Sequence, residues 1–277
     1  MKLKIIFLVI LVILITVGLL LPNGALAALQ NNLWSLYFLK TVAEGETVDL
    51  QAFKPPAYHQ HAGLLIAHQA MRRGEIDLAE EALIPLMNQK DGLVRNAQAN
   101  LLYLKEDYAG AIDIWYALGD WHSLEWTSNA PDKKLQLDDR ILALEKAYAL
   151  FPDRYRRNLF GYKMIKANAL LTERNYPEAI DILNDLLIMS PGDGRPYALL
   201  AQAYYETGQF EQALETLQTG WELNEDNLEF YLTAGKLYEG MNLPDQALAA
   251  YQAAMALDPQ SSPAKEGIER LSVDPDA

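Results

Sequence analysis

Residues 228–261 read LEFYLTAGKLYEGMNLPDQALAAYQAAMALDPQS, and how these 34 residues are read decides the fold. Tyr231, Ala234, Gly235 and Tyr238 recur three and four apart, which places them on one face of a helix. Ala247 and Tyr251 begin a second such face, and Pro259 ends it. The stretch is not alone. Sliding the chain by 34 residues superposes Tyr197 on Tyr231, Tyr204 on Tyr238, Ala213 on Ala247 and Leu223 on Leu257. One period earlier, Tyr176, Ala179 and Leu183 fall on Phe210, Ala213 and Leu217. Each unit therefore reads as two amphipathic helices about a turn such as Glu206 to Gln209, with the second helix running from about Phe210 to Leu223.

This pattern resembles the tetratricopeptide repeat family, whose 34-residue unit places an aromatic residue, a small pair, Tyr, Ala, an aromatic residue and Pro in fixed slots. In residues 228–261 those slots hold Tyr231, Ala234 and Gly235, Tyr238, Ala247, Tyr251 and Pro259. In residues 194–227 they hold Tyr197, Leu200 and Ala201, Tyr204, Ala213, Leu217 and, in place of proline, Glu225. In residues 160–193 the first half is worn, with Lys163, Lys166 and Ala167, while Leu170, Ala179, Leu183 and Pro191 remain. The resemblance implies an all-α fold, a right-handed α-solenoid of helix–turn–helix repeats. Small residues such as Ala201, Ala213, Gly235 and Ala247 allow helix backbones to approach, and stacked neighbours complete a core that no repeat closes alone.

Weaker copies precede these three. Ile66, Ala67, Ala70, Gly74, Ala79 and Leu83 keep the family spacing, as do Ala99, Leu102, Tyr108, Ala111 and Trp115. Between Gly119 and Pro152 the pattern is irregular, and Leu135 to Leu150 reads as a helix. The expected organisation is degenerate repeats over 60–159, three repeats over 160–261, and a capping helix and tail over 262–277. Residues 30–59 form a juxtamembrane or capping transition, punctuated by Pro55 and Pro56.

Residues 1–29 differ in kind. No charged side chain occurs between Lys4 and Lys40, and Ile5 to Leu21 is apolar apart from Thr16 and Gly18. As a hydrophobic N-terminal helix this run would rise about 25 Å, just short of the roughly 30 Å hydrocarbon core. Lys2 and Lys4 ahead of it keep the N-terminus cytoplasmic and send the remainder across. Two expectations stay open: a retained single-pass membrane anchor, or a signal peptide cleaved after Ala27. Either one makes the rest of the chain extracytoplasmic.

Composition narrows the function classes. The 277 residues carry 37 acidic and 23 basic side chains and no cysteine, for a net charge of −14. Absence of cysteine removes disulfides, zinc–thiolate sites and thiol nucleophiles, and the acidity argues against general nucleic-acid binding. His59, His61 and His68 lie close in sequence but match no metal motif, so neither a metal nor a cofactor is expected. Paired carboxylates for sugar chemistry have one place to be sought, around Trp115, Trp121, Glu125 and Trp126. The alternative function, a carbohydrate- or peptide-acting enzyme, would sit there.

The leading expectation is a non-enzymatic scaffold that binds peptides or protein partners. The family resemblance implies a concave groove lined by the first helices of successive units. Carried onto this chain, the groove residues are Met164, Asn168 and Leu171, then Arg195, Ala198, Gln202 and Tyr205, then Glu229, Leu232, Lys236 and Glu239. Chaperone-cofactor members grip a C-terminal carboxylate with lysines, asparagines and an arginine, because several charged donors must converge on one anion. The matching positions here are Met164, Asn168, Leu199, Glu229 and Thr233, and Asn168 alone keeps the pattern. Charge is also uneven. Arg154, Arg156, Arg157, Lys163 and Lys166 form a stripe without an acid, whereas Glu206 to Asp258 holds ten acids and the single cation Lys236.

Overall fold

The computed structural model describes residues 60–272, and within them every regular element is helical. The apolar run, the transition segment, His59 and the tail from residue 273 lie outside the described residues. The described chain divides into two compact units: residues 60–126 with 131–135, and residues 127–130 with 136–272.

The first unit holds two helical hairpins. Helix α1 (Gln60–Arg73) pairs with α2 (Ile76–Leu83), which tightens into a 3-10 turn at Ile84–Leu86. Helix α3 (Gly92–Leu104) pairs with α4 (Tyr108–Leu118). Asp91 caps α3 by accepting from the amides of Leu93 and Val94, which satisfies donors that a helix start otherwise leaves open. Ile66, Ala67, Ala70, Ala79, Leu83, Val94 and Ala97 form one buried cluster across three of these helices. Helix α5 (Trp121–Asn129) begins in this unit and ends in the second.

The second unit runs through α6 (Leu137–Leu150), α7 (Pro152–Thr172), α8 (Tyr176–Met189), α9 (Arg195–Glu206), α10 (Phe210–Leu223), α11 (Leu228–Gly240), α12 (Pro244–Leu257) and α13 (Ser262–Ser272). Helices α7 and α8, α9 and α10, and α11 and α12 form the hairpins, and first helices also touch one another: α7 with α9, α9 with α11, α11 with α13. Residue 160, where the first strong repeat was expected to begin, falls inside α7. That helix starts eight residues earlier because Pro152 sits at its first position, where a missing N–H costs nothing.

From Glu106 onward the 34-residue period is written into the backbone as well. The chain reverses within hairpins at Gly74, Glu106, Arg174, Gly208 and Asn242, each with φ between 58° and 76°. After each, an amide bonds back five residues, from Glu75, Asp107, Asn175, Gln209 and Leu243 to the carbonyls of Ala70, Leu102, Leu170, Tyr204 and Tyr238. This is the Schellman closure, which absorbs otherwise unpaired carbonyls at a helix end.

The tightest packing lies at the end of the array. Tyr251 of α12 is fully buried between two glycines. A Cβ on Gly235 of α11 would meet its ring at 2.5 Å, and one on Gly267 of α13 at 2.4 Å. Around it lie Phe230, Ala234, Ala247, Ala254 and Ala264. The ring fills space that both neighbours vacate by having no side chain.

Gly235→Ala should therefore cost about 1–3 kcal/mol of stability, since the ring must move in a filled core. Gly161→Ala, in α7 with nothing within 4 Å of the new methyl, should instead stabilise by about 0.5–1 kcal/mol. Urea unfolding of both variants checks the contrast. Equal effects of the same sign would mean that helix propensity, and not the close approach, governs Gly235.

Candidate partner-binding site

The row of first helices α7, α9 and α11 carries the eleven residues expected to line the groove, and their fates differ. Leu171 is 7% exposed and packs with Leu170, Ala179 and Ala203. It is a core residue and not a groove residue, because its α7 position belongs to a buried cluster shared with α8 and α9. Ala198 and Leu232, also expected in the groove, are likewise buried. Met164 is half-buried against the cluster of Phe160, Leu183 and Leu200.

Three more are engaged in joining repeats. Arg195 donates Nε to Asp193 Oδ1 at 2.8 Å and Nη2 to Oδ2 at 2.6 Å, and its guanidinium lies 4.6 Å from the Phe160 ring centre. The hydrogen bonds from Arg195 hold the Asp193 carboxyl below its ordinary value, against the opposing pull of burial. Tyr205 packs against Phe210 with the rings tilted and their centres 5.5 Å apart, and lies so close to α11 that a Cβ on Gly240 would meet its hydroxyl. Glu239 receives Arg270 Nε at 3.2 Å and Nη2 at 2.9 Å, and the Tyr251 hydroxyl at 2.7 Å. Burial alone would raise the Glu239 carboxyl, but hydrogen bonds from Arg270 and Tyr251 and the guanidinium charge bring it below its ordinary value. The same burial, with Glu239 as acceptor, pushes the Tyr251 hydroxyl strongly upward.

Asn168, Glu229 and Lys236 remain exposed and Gln202 half-exposed. Glu229 also lines a surface concavity of about 830 Å³ at the loops that join α8 to α9 and α10 to α11. Asp193, Glu222, Glu225 and Asp226 line it too, and its one cation, Arg195, is held by Asp193. The negative potential reaches Tyr231, whose hydroxyl is raised by burial and then by the charges of Glu225 and Asp226.

Three members of the basic stripe are engaged within the protein, while Arg154 and Arg157 lie at the surface. Lys163 bridges Glu145 at 2.8 Å and Asp185 at 3.5 Å, and Lys166 bridges Asp138 at 2.9 Å and Glu178 at 3.9 Å. Arg156 donates to the Met189 carbonyl at 3.0 Å. These side chains tie α7 to α6 and α8, helices whose acids are remote in sequence.

Trp115 and Trp126 line a cleft in the first unit, but Glu125 does not line it, nor does any other carboxylate. The acid–base pair that glycoside hydrolysis requires is therefore missing from that cleft. Among the described residues no group of three His, Asp or Glu side chains is placed to hold a metal ion. Among them, too, no helix is long and apolar enough to cross a membrane.

An array of 34-residue helical hairpins with Schellman turns defines the protein class, and comparison with known families agrees. Tetratricopeptide repeat models match residues 170–237 and 228–261. Residues 170–261 are thus tetratricopeptide repeats. It is 26% identical over 213 residues to the TPR repeat-containing protein YpiA of Bacillus subtilis, covering 74% of this chain and 49% of that protein. It is 29% identical over 105 residues to the Hsp70-Hsp90 organizing protein of Triticum aestivum, covering 38% of this chain and 18% of that one. The chain thus spans half or less of the length of these relatives. Among solved structures it is similar to MamA, at 19% identity and a TM-score of 0.43, covering 55% of this chain and 80% of that one.

The Glu239 cluster makes a pH prediction. A carboxyl whose folded value lies below its unfolded 4.5 contributes stability that is present above the unfolded value and lost as pH falls through the folded one. Glu239→Gln should cost about 0.5–1 kcal/mol at pH 7, a modest figure because Arg270 is half-exposed. In urea titrations at successively lower pH the gap to the parent chain should close; a gap that persists undiminished would assign the loss to geometry alone.

Proposed function

We propose that this protein is a non-enzymatic scaffold that binds a protein partner along α7, α9 and α11, through a segment carrying Lys or Arg. The observation that carries this is the division of labour along the row. Leu171, Arg195, Tyr205 and Glu239 are engaged in packing or ion pairs, while Asn168, Gln202, Glu229 and Lys236 stay accessible beside an acidic concavity. A helix or extended segment with basic side chains fits that surface, and opposite potentials favour its encounter.

The relatives named for organizing Hsp70 and Hsp90 support a protein-binding role in general. They do not extend it to chaperone tails, because Met164, Leu199, Glu229 and Thr233 replace the cationic and amide side chains such a grip needs. The apolar run Ile5 to Leu21 behind Lys2 and Lys4 supports placing the scaffold outside the cytoplasm, anchored or released. Assembly of envelope components is the role that this combination favours.

In-cell crosslinking with partner identification tests the scaffold, comparing the parent chain with the combined variant Asn168→Ala, Gln202→Ala, Glu229→Lys and Lys236→Ala. Crosslinks to one or a few proteins should fall at least tenfold while the helical signal is unchanged. An unaltered crosslink pattern would remove this row of helices as the binding face. Alkaline extraction of membranes, with mass spectrometry of the mature N-terminus, tests the location. A soluble chain beginning at Ala28 refutes the anchor, and a cytoplasmic chain refutes export.

A further inference from the structure

The cleft lined by Trp115 and Trp126 plays no part in the function proposed above. It measures about 610 Å³, lies wholly within the first unit, and is walled mainly by Met71, Tyr103, Leu104, Trp115 and Trp126, with Arg72 at its side. Two observations make it more than a packing gap. Trp126 is 54% exposed although its ring lies only 5.2 Å from Tyr103, so a large apolar face is held in place against water. The second is charge: no carboxylate lines the cleft, in a chain with a net charge of −14. Burial lowers the His68 imidazole and favours its neutral form, so Arg72 is the lining group with a full positive charge at neutral pH.

We propose that this cleft is a second binding site, which receives an aromatic or branched aliphatic side chain of a protein partner whose adjacent residue is Asp or Glu. The apolar walls take the side chain, and Arg72 pairs with the neighbouring carboxylate. A sugar fits less well. Hydroxyl groups need acceptors and amides along the wall, yet Ser123 donates to Asp120 at 2.8 Å and Asn100 to Asn96 at 3.1 Å. The partner chemistry is opposite to that of the acidic concavity in the second unit, so the two sites select different segments.

The test is an array of capped hexapeptides with two randomised central positions, probed with the full chain and, in parallel, an oligosaccharide array. The parent chain should select Trp, Phe, Leu or Ile followed by Asp or Glu. Trp126→Ala, at an exposed position, should lower that signal at least tenfold with the helical signal unchanged. Arg72→Glu should turn the second preference from acidic to basic. The combined variant of the α7–α11 row should leave the selection intact, which separates this site from the one proposed above. An absence of selection, a selection indifferent to Trp126→Ala and Arg72→Glu, or oligosaccharide binding abolished by Trp126→Ala would each overturn the proposal.

Discussion

The second unit depends on helices approaching at positions that carry no side chain. Tyr251 is the clearest case: its ring occupies the space that Gly235 and Gly267 leave open on both sides, and its hydroxyl reaches Glu239. The same device recurs one hairpin earlier, where a Cβ on Gly220 would meet Tyr197 at 2.6 Å and Phe230 at 2.8 Å. Because each repeat contacts chiefly its neighbours, such joints supply the nearest-neighbour coupling that holds a repeat array together. The terminal helix α13 completes the last joint, with Gly267 against Tyr251 and Arg270 on Glu239.

That constraint decides what is left for function. A side chain that bridges two repeats is engaged before any partner arrives, and truncating it would loosen the array as well as any complex. Arg195 and Glu239 look like binding residues by position and charge, yet both are bound within the protein. The surface that remains combines accessible polar groups on the first helices with acidic loops between hairpins. Glu222, Glu225 and Asp226 sit at the α10–α11 junction, where the chain has no helical partner to satisfy and charge stays solvated.

Much of this was legible in the sequence because close packing restricts residue type. Only Gly or Ala fits where backbones meet, so Gly235, Ala213 and Ala247 announce the helix pairs over 194–261 without any tertiary information. Turns were less legible where the left-handed position is not glycine: Gly208 marks its turn openly, whereas Glu106 and Arg174 adopt the same conformation with side chains that carry no such signal. The groove was only partly legible. A helix face has a predictable direction, but whether Leu171 meets solvent or Ala179 depends on how deeply α8 packs, and whether Lys163 is free depends on acids that chain folding brings from residues 145 and 185. The cleft in the first unit was legible only as a cluster of tryptophans; that Trp115 is buried and Trp126 exposed follows from their places on different helices.

The two concavities rest on different physics, and this bears on how a single scaffold distinguishes partners. In the second unit the lining is acidic and solvated, so a basic segment bound there as proposed would be held chiefly by charge, with faster encounter and weakening by salt. In the first unit the walls are aromatic and aliphatic, so the side chain proposed to enter there would be held by burial and be less sensitive to ionic strength. On these two proposals the linings discriminate by exclusion as well as attraction: an acidic neighbour that suits Arg72 is repelled by Glu222, Glu225 and Asp226, so a segment fitted to one surface is rejected by the other.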